Sequence, residues 1–195
     1  MAFTVTPDGV PLANPPQLPN YTIIEALYAG SRTIVYRAVE NATGRSVIIK
    51  LLKQEYPDFQ DLLLFRNQYA ITQDLTIPGV IAPHSSEFHE NSYVLIMEDF
   101  GGISLQQYRQ ENILSLGEVL AIGVQLATIL HDLHQARIIH KDLKPANILI
   151  HPQSKDVRLI DFSIASRYPK KTKKLFLLMD WKARLPTLRQ NKRDA

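Results

Sequence analysis

The chain has 195 residues, 45% of them apolar and 21% charged, with no cysteine and a net charge of +3. That length suits one domain or one two-lobed unit with a real core. The missing thiols exclude disulfides and thiolate metal sites and fit a reducing compartment. The start MAFTVTPDGV has neither a basic n-region nor an apolar h-region, so it does not read as a secretory signal. The most apolar stretch, ILSLGEVLAIGVQLATIL, is interrupted by Glu118 and Gln125 and reads as a buried helix rather than a membrane span. A soluble, cytoplasmic protein is expected.

Residues 1–20 hold five prolines and no periodic pattern, which predicts a flexible leader. YTIIEALYAG, RTIVYRAVE and RSVIIKLLK are rich in β-branched and aromatic residues and predict three strands, the last two joined by a turn at NATG. Asp58 is placed to cap a helix whose apolar positions include Leu62, Phe65, Tyr69 and Leu75, with Pro78 and Gly79 as its stop. GVIAP and SYVLIMEDF predict two more strands around a polar connection that contains His84 and His89. SLQQYRQ reads as a short helix and Ser115 to about Gln135 as a long one, followed by RIIHKDLKPANILI, a turn at HPQSKD and a strand VRLIDF. The expected architecture is α+β: a five-stranded sheet lobe over 21–100, part of a helical lobe over 101–168, and a tail over 169–195.

HKDLKPANIL carries the most chemistry. Asp142, Lys144 and Asn147 sit at offsets 0, +2 and +5 in a loop pinned by Pro145, and Asp161 of IDFS follows fourteen residues after Asn147. Moving the γ-phosphoryl group of ATP needs a carboxylate beside the attacking hydroxyl, a cation over the phosphates and oxygen ligands for Mg²⁺. These residues supply each requirement. The sequence here resembles the eukaryotic-type serine/threonine protein kinase family, with HKDLKPANIL similar to its catalytic loop and DFS to its metal-binding DFG motif. The resemblance implies a protein-kinase-like fold, with Asp142 orienting and deprotonating the substrate hydroxyl and Lys144 steadying the phosphoryl group. It implies Asn147 and Asp161 as metal ligands, ATP and Mg²⁺ as cofactors, and a protein substrate as partner.

Upstream, VIIK resembles the third-strand motif and implies Lys50 at the α- and β-phosphates. LYAGSRTIVYRA aligns with the glycine-rich loop but keeps only Gly30, with Tyr28 and Thr33 at the other glycine positions. The register puts Gln68 where the family has the glutamate that pairs the strand lysine, so a neutral acceptor is expected there in place of an ion pair. Ile48, replacing a small alanine, narrows the adenine slot. The resemblance implies Val35 above that slot and Leu149 as its floor, and Met97, Glu98, Asp99 and Phe100 resemble the gatekeeper and hinge. Lys141 replaces the arginine that docks a phosphorylated activation loop in the family, and its point charge cannot copy a bidentate contact. EDFGGISLQQY, LTIPGVI and LIDFSIAS are similar to the kinase heads of large bacterial multidomain signalling proteins.

The charge is unevenly placed: nine basic and two acidic residues from Pro169 onward, against 13 basic and 17 acidic before it. The tail lacks a periodic face or base-stacking platform, which argues against a nucleic-acid arm. Trp181–Ala195, read from overlapping codons one base earlier, can give LEGTLAYIAPE followed by QTGR. That string resembles the kinase segment GTxxYxAPE, so the tail reads as kinase coding sequence out of frame. The expected function is ATP-dependent protein serine/threonine phosphorylation impaired by truncation, with a catalytically silent ATP-binding or interaction module as the alternative.

Overall fold

The computed structural model describes residues 15–169. β1 (Tyr21–Ala29), β2 (Thr33–Glu40) and β3 (Ser46–Leu52) form an antiparallel meander, and β4 (Pro83–His89) and β5 (Ser92–Glu98) complete a sheet of order β1-β2-β3-β5-β4. Strand alternation sends Ile34, Tyr36, Ala38, Val47 and Ile49 to one buried face, where they meet Val94 and Ile96. On the other face Leu52 and Leu95 pack against Phe65 of α1 (Phe59–Thr72). Lys50 shares the parity of Leu52, so it emerges on the face that α1 covers. The two outer strands also meet: the Tyr21 hydroxyl donates to Glu87 Oε1 across 2.9 Å, curling the sheet on itself. Burial and this bond push the Tyr21 pKa up to about 12.

After β5 come β6 (Ile103–Ser104), α2 (Leu105–Glu111), α3 (Leu116–Gln135) and β7 (Ile138–Ile139). A 3-10 turn (Pro145–Asn147), β8 (Ile148–Ile150), β9 (Val157–Leu159) and β10 (Ser166–Arg167) follow. β6, β8 and β9 form one small sheet, and β7 pairs with β10. Ser104 caps α2, and Ser115 with Glu118 forms a capping box on α3, satisfying backbone N–H groups that the helix leaves free. Among the described residues α3 is the helix long and apolar enough to cross a bilayer. Its Ile122, Ile129 and Leu133 pack into the core with Ile138, Leu159 and Phe162.

Three sequence expectations are corrected. The capped helix ends at Thr72 rather than at Pro78, because the chain beyond it leaves the helix to pack Leu75 and Ile77 on the core that holds α3. GVIAP is not a sheet strand. Its Val80 makes a parallel bridge to Leu159, with Ile81 N–H donating to the Leu159 carbonyl (3.0 Å) and Leu159 N–H to that of Gly79 (2.7 Å). The fourth strand instead begins at Pro83 and includes His84 and His89, since an edge strand with one wet face tolerates polar residues. Finally, the end of the Pro-rich leader is built into the fold: Leu18 is buried in the sheet core, and Asn41 N–H donates to the Asn20 carbonyl.

Candidate active site

Two polar clusters face the junction of the sheet lobe and the helical lobe. In the first, Lys50 and Gln68 are both buried, with Lys50 Nζ 2.8 Å from Gln68 Oε1 and 3.2 Å from Asp161 Oδ1. The register that assigned Gln68 to Lys50 is therefore the observed pairing. Burial pushes the Asp161 carboxyl up, but the Lys50 charge and hydrogen bonds from Ser163 and Lys50 outweigh it and hold it below the usual carboxylate range. Asp161 sits at φ 63°, a left-handed conformation disfavoured for a residue with a Cβ. Backbone strain of this kind, held by surrounding contacts, aims the carboxylate back at Lys50.

The second cluster lies on the loop between β7 and β8. Asp142 Oδ2 accepts from Lys144 Nζ (2.7 Å) and from Asn147 Nδ2 (2.8 Å), and the same amide donates to the Asp142 carbonyl (2.9 Å). The hydrogen bond to Asp142 holds the pKa of the exposed Lys144 above its usual value. His140 is buried between the clusters. Its Nε2 lies 3.0 Å from the Ile160 carbonyl, its Nδ1 accepts from Asp142 N–H (3.3 Å), and its ring meets Phe162 edge-on at 4.6 Å. His140 thus ties the loop bearing Asp142 to the segment after β9 that bears Asp161.

The remaining predicted positions flank these clusters. Val35 opposes Lys50 across β2–β3, and Ile48 opposes Met97 across β3–β5. Met97 is buried, and Leu149 is half-buried between Ser104 and Arg158 in the small sheet. The Glu98 side chain is engaged by Arg158 (2.9 Å), whose guanidinium also stacks 4.8 Å from the Phe100 ring. Asp99 fastens the inter-lobe connection to the sheet, accepting from Ser46 (2.6 Å), Arg37 (2.7 Å) and Gly101 N–H (3.0 Å). Burial favours its neutral form, but those bonds prevail and lower its pKa. Tyr28 folds over Gly30, so a Cβ at residue 30 would collide with the Tyr28 ring and hydroxyl.

One contributor escaped the sequence reading. Asn67 Nδ2 lies 2.7 Å from the Ser163 carbonyl, 3.0 Å from that of Ala165 and 3.5 Å from that of Phe162. No charge or motif marks it. Only its place beside Gln68 on α1 could have drawn notice.

The family model of the protein kinase domain matches residues 21–183. The chain is similar to serine/threonine-protein kinase PrkC of Bacillus subtilis, 29% identical over 75% of this chain and 23% of the relative. It is 33% identical to serine/threonine-protein kinase PknA of Mycobacterium tuberculosis over 74% of this chain and 35% of the relative. With cell division control protein 2 homolog 2 of Trypanosoma brucei brucei it shares 32% identity over 78% of this chain and 45% of the relative. The chain therefore spans less than half the length of these curated relatives.

Proposed function

Because this chain belongs to the protein kinase family, we propose that it forms the ATP-binding and phosphoryl-transfer part of a serine/threonine protein kinase, acting on a protein hydroxyl in the cytoplasm. The observation that carries this reading is the 3.2 Å approach of Lys50 to Asp161 across 111 residues of sequence. A cation and a carboxylate of that kind anchor phosphates and a divalent metal together.

The donor set fits ATP and Mg²⁺. Asp161 offers an ionised carboxylate, and Asn147 turns its Nδ2 to Asp142, leaving its amide oxygen as the available ligand atom. A hard cation takes oxygen ligands of this sort. When bound, Mg²⁺ offsets phosphate charge. Lys50 holds the α- and β-phosphates, and Lys144 lies where it can meet the transferring group. Asp142, fixed by Lys144 and Asn147, accepts the proton of the attacking hydroxyl. Val35, Ile48, Met97 and Leu149 enclose the base, and the backbone of Glu98 and Phe100 offers its edge polar partners. We also read residues 169–195 as out-of-frame kinase sequence; beyond Pro169 they lie outside the described residues.

A second reading, a silent ATP-binding module, draws support from Tyr28 over Gly30 and from the neutral Gln68 opposite Lys50. One experiment separates the two. ATP binding is measured with and without Mg²⁺, and transfer from labelled ATP to a generic protein substrate is followed in parallel. The kinase reading expects Asp161→Asn to abolish the Mg²⁺-dependent gain and Asp142→Asn to reduce transfer by about 10²–10⁴-fold with ATP binding retained. Binding without any transfer would select the module, and wild-type ATP·Mg²⁺ affinity in Asp161→Asn would overturn the assignment of Asp161 to the metal.

A further inference from the structure

We infer that Asn67 is a positioning residue that fixes the metal-binding carboxylate of Asp161 to α1, an inference that rests on the ATP·Mg²⁺ reading of the site. Its amide group faces the carbonyls of Ser163, Ala165 and Phe162. Three acceptors around one terminus require the NH₂ end there, because an amide oxygen would meet only other oxygens. The carbonyls converge because the chain turns at Asp161 and closes again where Ala165 N–H donates to the Phe162 carbonyl (3.1 Å). Asn67 thereby caps a turn whose oxygens have few other donors within reach.

The connection from Asn67 to Asp161 is short. The Ser163 carbonyl is held by Asn67, while the N–H of the same residue donates to Asp161 Oδ1 at 3.4 Å. Residue 163 thus relays the position of the helix to the carboxylate. Adjacent side chains on a helix diverge by about 100°, so a single turn of α1 addresses both phosphate-side anchors. Gln68 reaches Lys50 directly, and Asn67 reaches Asp161 through Ser163. A second tie one turn further on, Arg167 Nη2 to the Ile71 carbonyl at 3.4 Å, keeps the rest of the segment along the same helix. With a neutral amide opposite Lys50, the alignment of α1 with Asp161 depends on these backbone contacts rather than on a second carboxylate.

The test uses the full chain and two readouts on Asn67→Ala, with Asn67→Ser, which keeps one donor, as the conservative partner. Without nucleotide, amide hydrogen exchange over residues 161–167 should quicken by about tenfold in Asn67→Ala, leaving β2 and β3 unchanged. In equilibrium binding, the ratio of ATP affinity with and without Mg²⁺ should fall by about tenfold, Mg²⁺-free affinity should stay near wild type, and Asn67→Ser should recover part of the loss. Should Asn67→Ala fail to fold, Asn67→Ser carries both comparisons. Unchanged exchange overturns the capped turn. Faster exchange with an intact Mg²⁺-dependent gain overturns the positioning role and leaves Asn67 a merely structural residue. A wild-type chain showing no Mg²⁺-dependent gain overturns the nucleotide reading itself, a result that the exchange measurement distinguishes from loss of the turn.

Discussion

Lys50 is buried with two oxygen acceptors converging on it, one neutral and one anionic. A buried donor left unsatisfied costs about 1–3 kcal/mol, and Gln68 supplies Lys50 with an acceptor beyond the one that Asp161 offers. The same arrangement sets a pH dependence. The Asp161 carboxyl is held below its ordinary 3.8, so the folded state favours its ionised form. The stability this supplies is complete above the unfolded pKa and disappears as pH falls through the lower folded value. Asp161→Asn should therefore be less stable than wild type at neutral pH, with the gap closing below about pH 4. Thermal melts from pH 7 to pH 2.5 check this, and a gap that stays constant with pH would break the link to Lys50.

At the scale of elements, Gly79 shows how the two lobes are joined. It has φ +103°, and a Cβ there would lie 2.5 Å from Ile129 Cγ1 on α3. Its carbonyl accepts from Leu159 N–H, so backbone from the sheet lobe runs directly along the helical-lobe core. Gly79→Ala combines a disfavoured backbone conformation with overpacking, and should destabilise by about 2–4 kcal/mol in denaturant unfolding. A loss under 1 kcal/mol would mean that this junction is loosely packed. The sequence marked Gly79 only as a helix stop and as the start of the expected strand GVIAP, because a glycine's long-range neighbours leave no local signal. What was legible was local chemistry: Asp58 as a cap, Ser115 as the start of the long helix, and β2 and β3 from their β-branched and aromatic residues. Gln68 was found through family register. GVIAP misled because a buried crossing segment has the same apolar composition as a strand, and β4 was missed because its burial is one-sided. Asn67 was invisible for a different reason, since its partners are backbone carbonyls about 96 positions away.

For the whole molecule, α3 poses the last question. Ile122, Ile129 and Leu133 bury one face, yet Leu116, Val119, Leu120 and Val124 are exposed at 75, 49, 61 and 67%. Their spacing puts them on a second apolar stripe, and a contiguous patch of that kind favours association. The chain should bind a hydrophobic dye or self-associate. Leu120→Glu with Val124→Lys should reduce that binding with little change in melting temperature, because both side chains already face solvent. The tail supplies a complementary test at the level of the gene. If Trp181–Ala195 is kinase sequence read out of frame, its wobble bases are constrained. Lys182 must be AAG to give glycine in the earlier frame, Ala183 must be GCA to give threonine, and Pro186 must be CCT to give tyrosine. Restoring one base between about Pro169 and Leu178 should then lengthen the product, cover the α3 stripe so that dye binding falls, and raise phosphotransfer that Asp142→Asn removes. Finding AAA at Lys182 or GCC at Ala183 would dismiss the frame reading and return the tail to a basic segment in its own right. Dye binding by the lengthened product equal to that of the present chain would show that the stripe is meant for something other than the rest of a lobe.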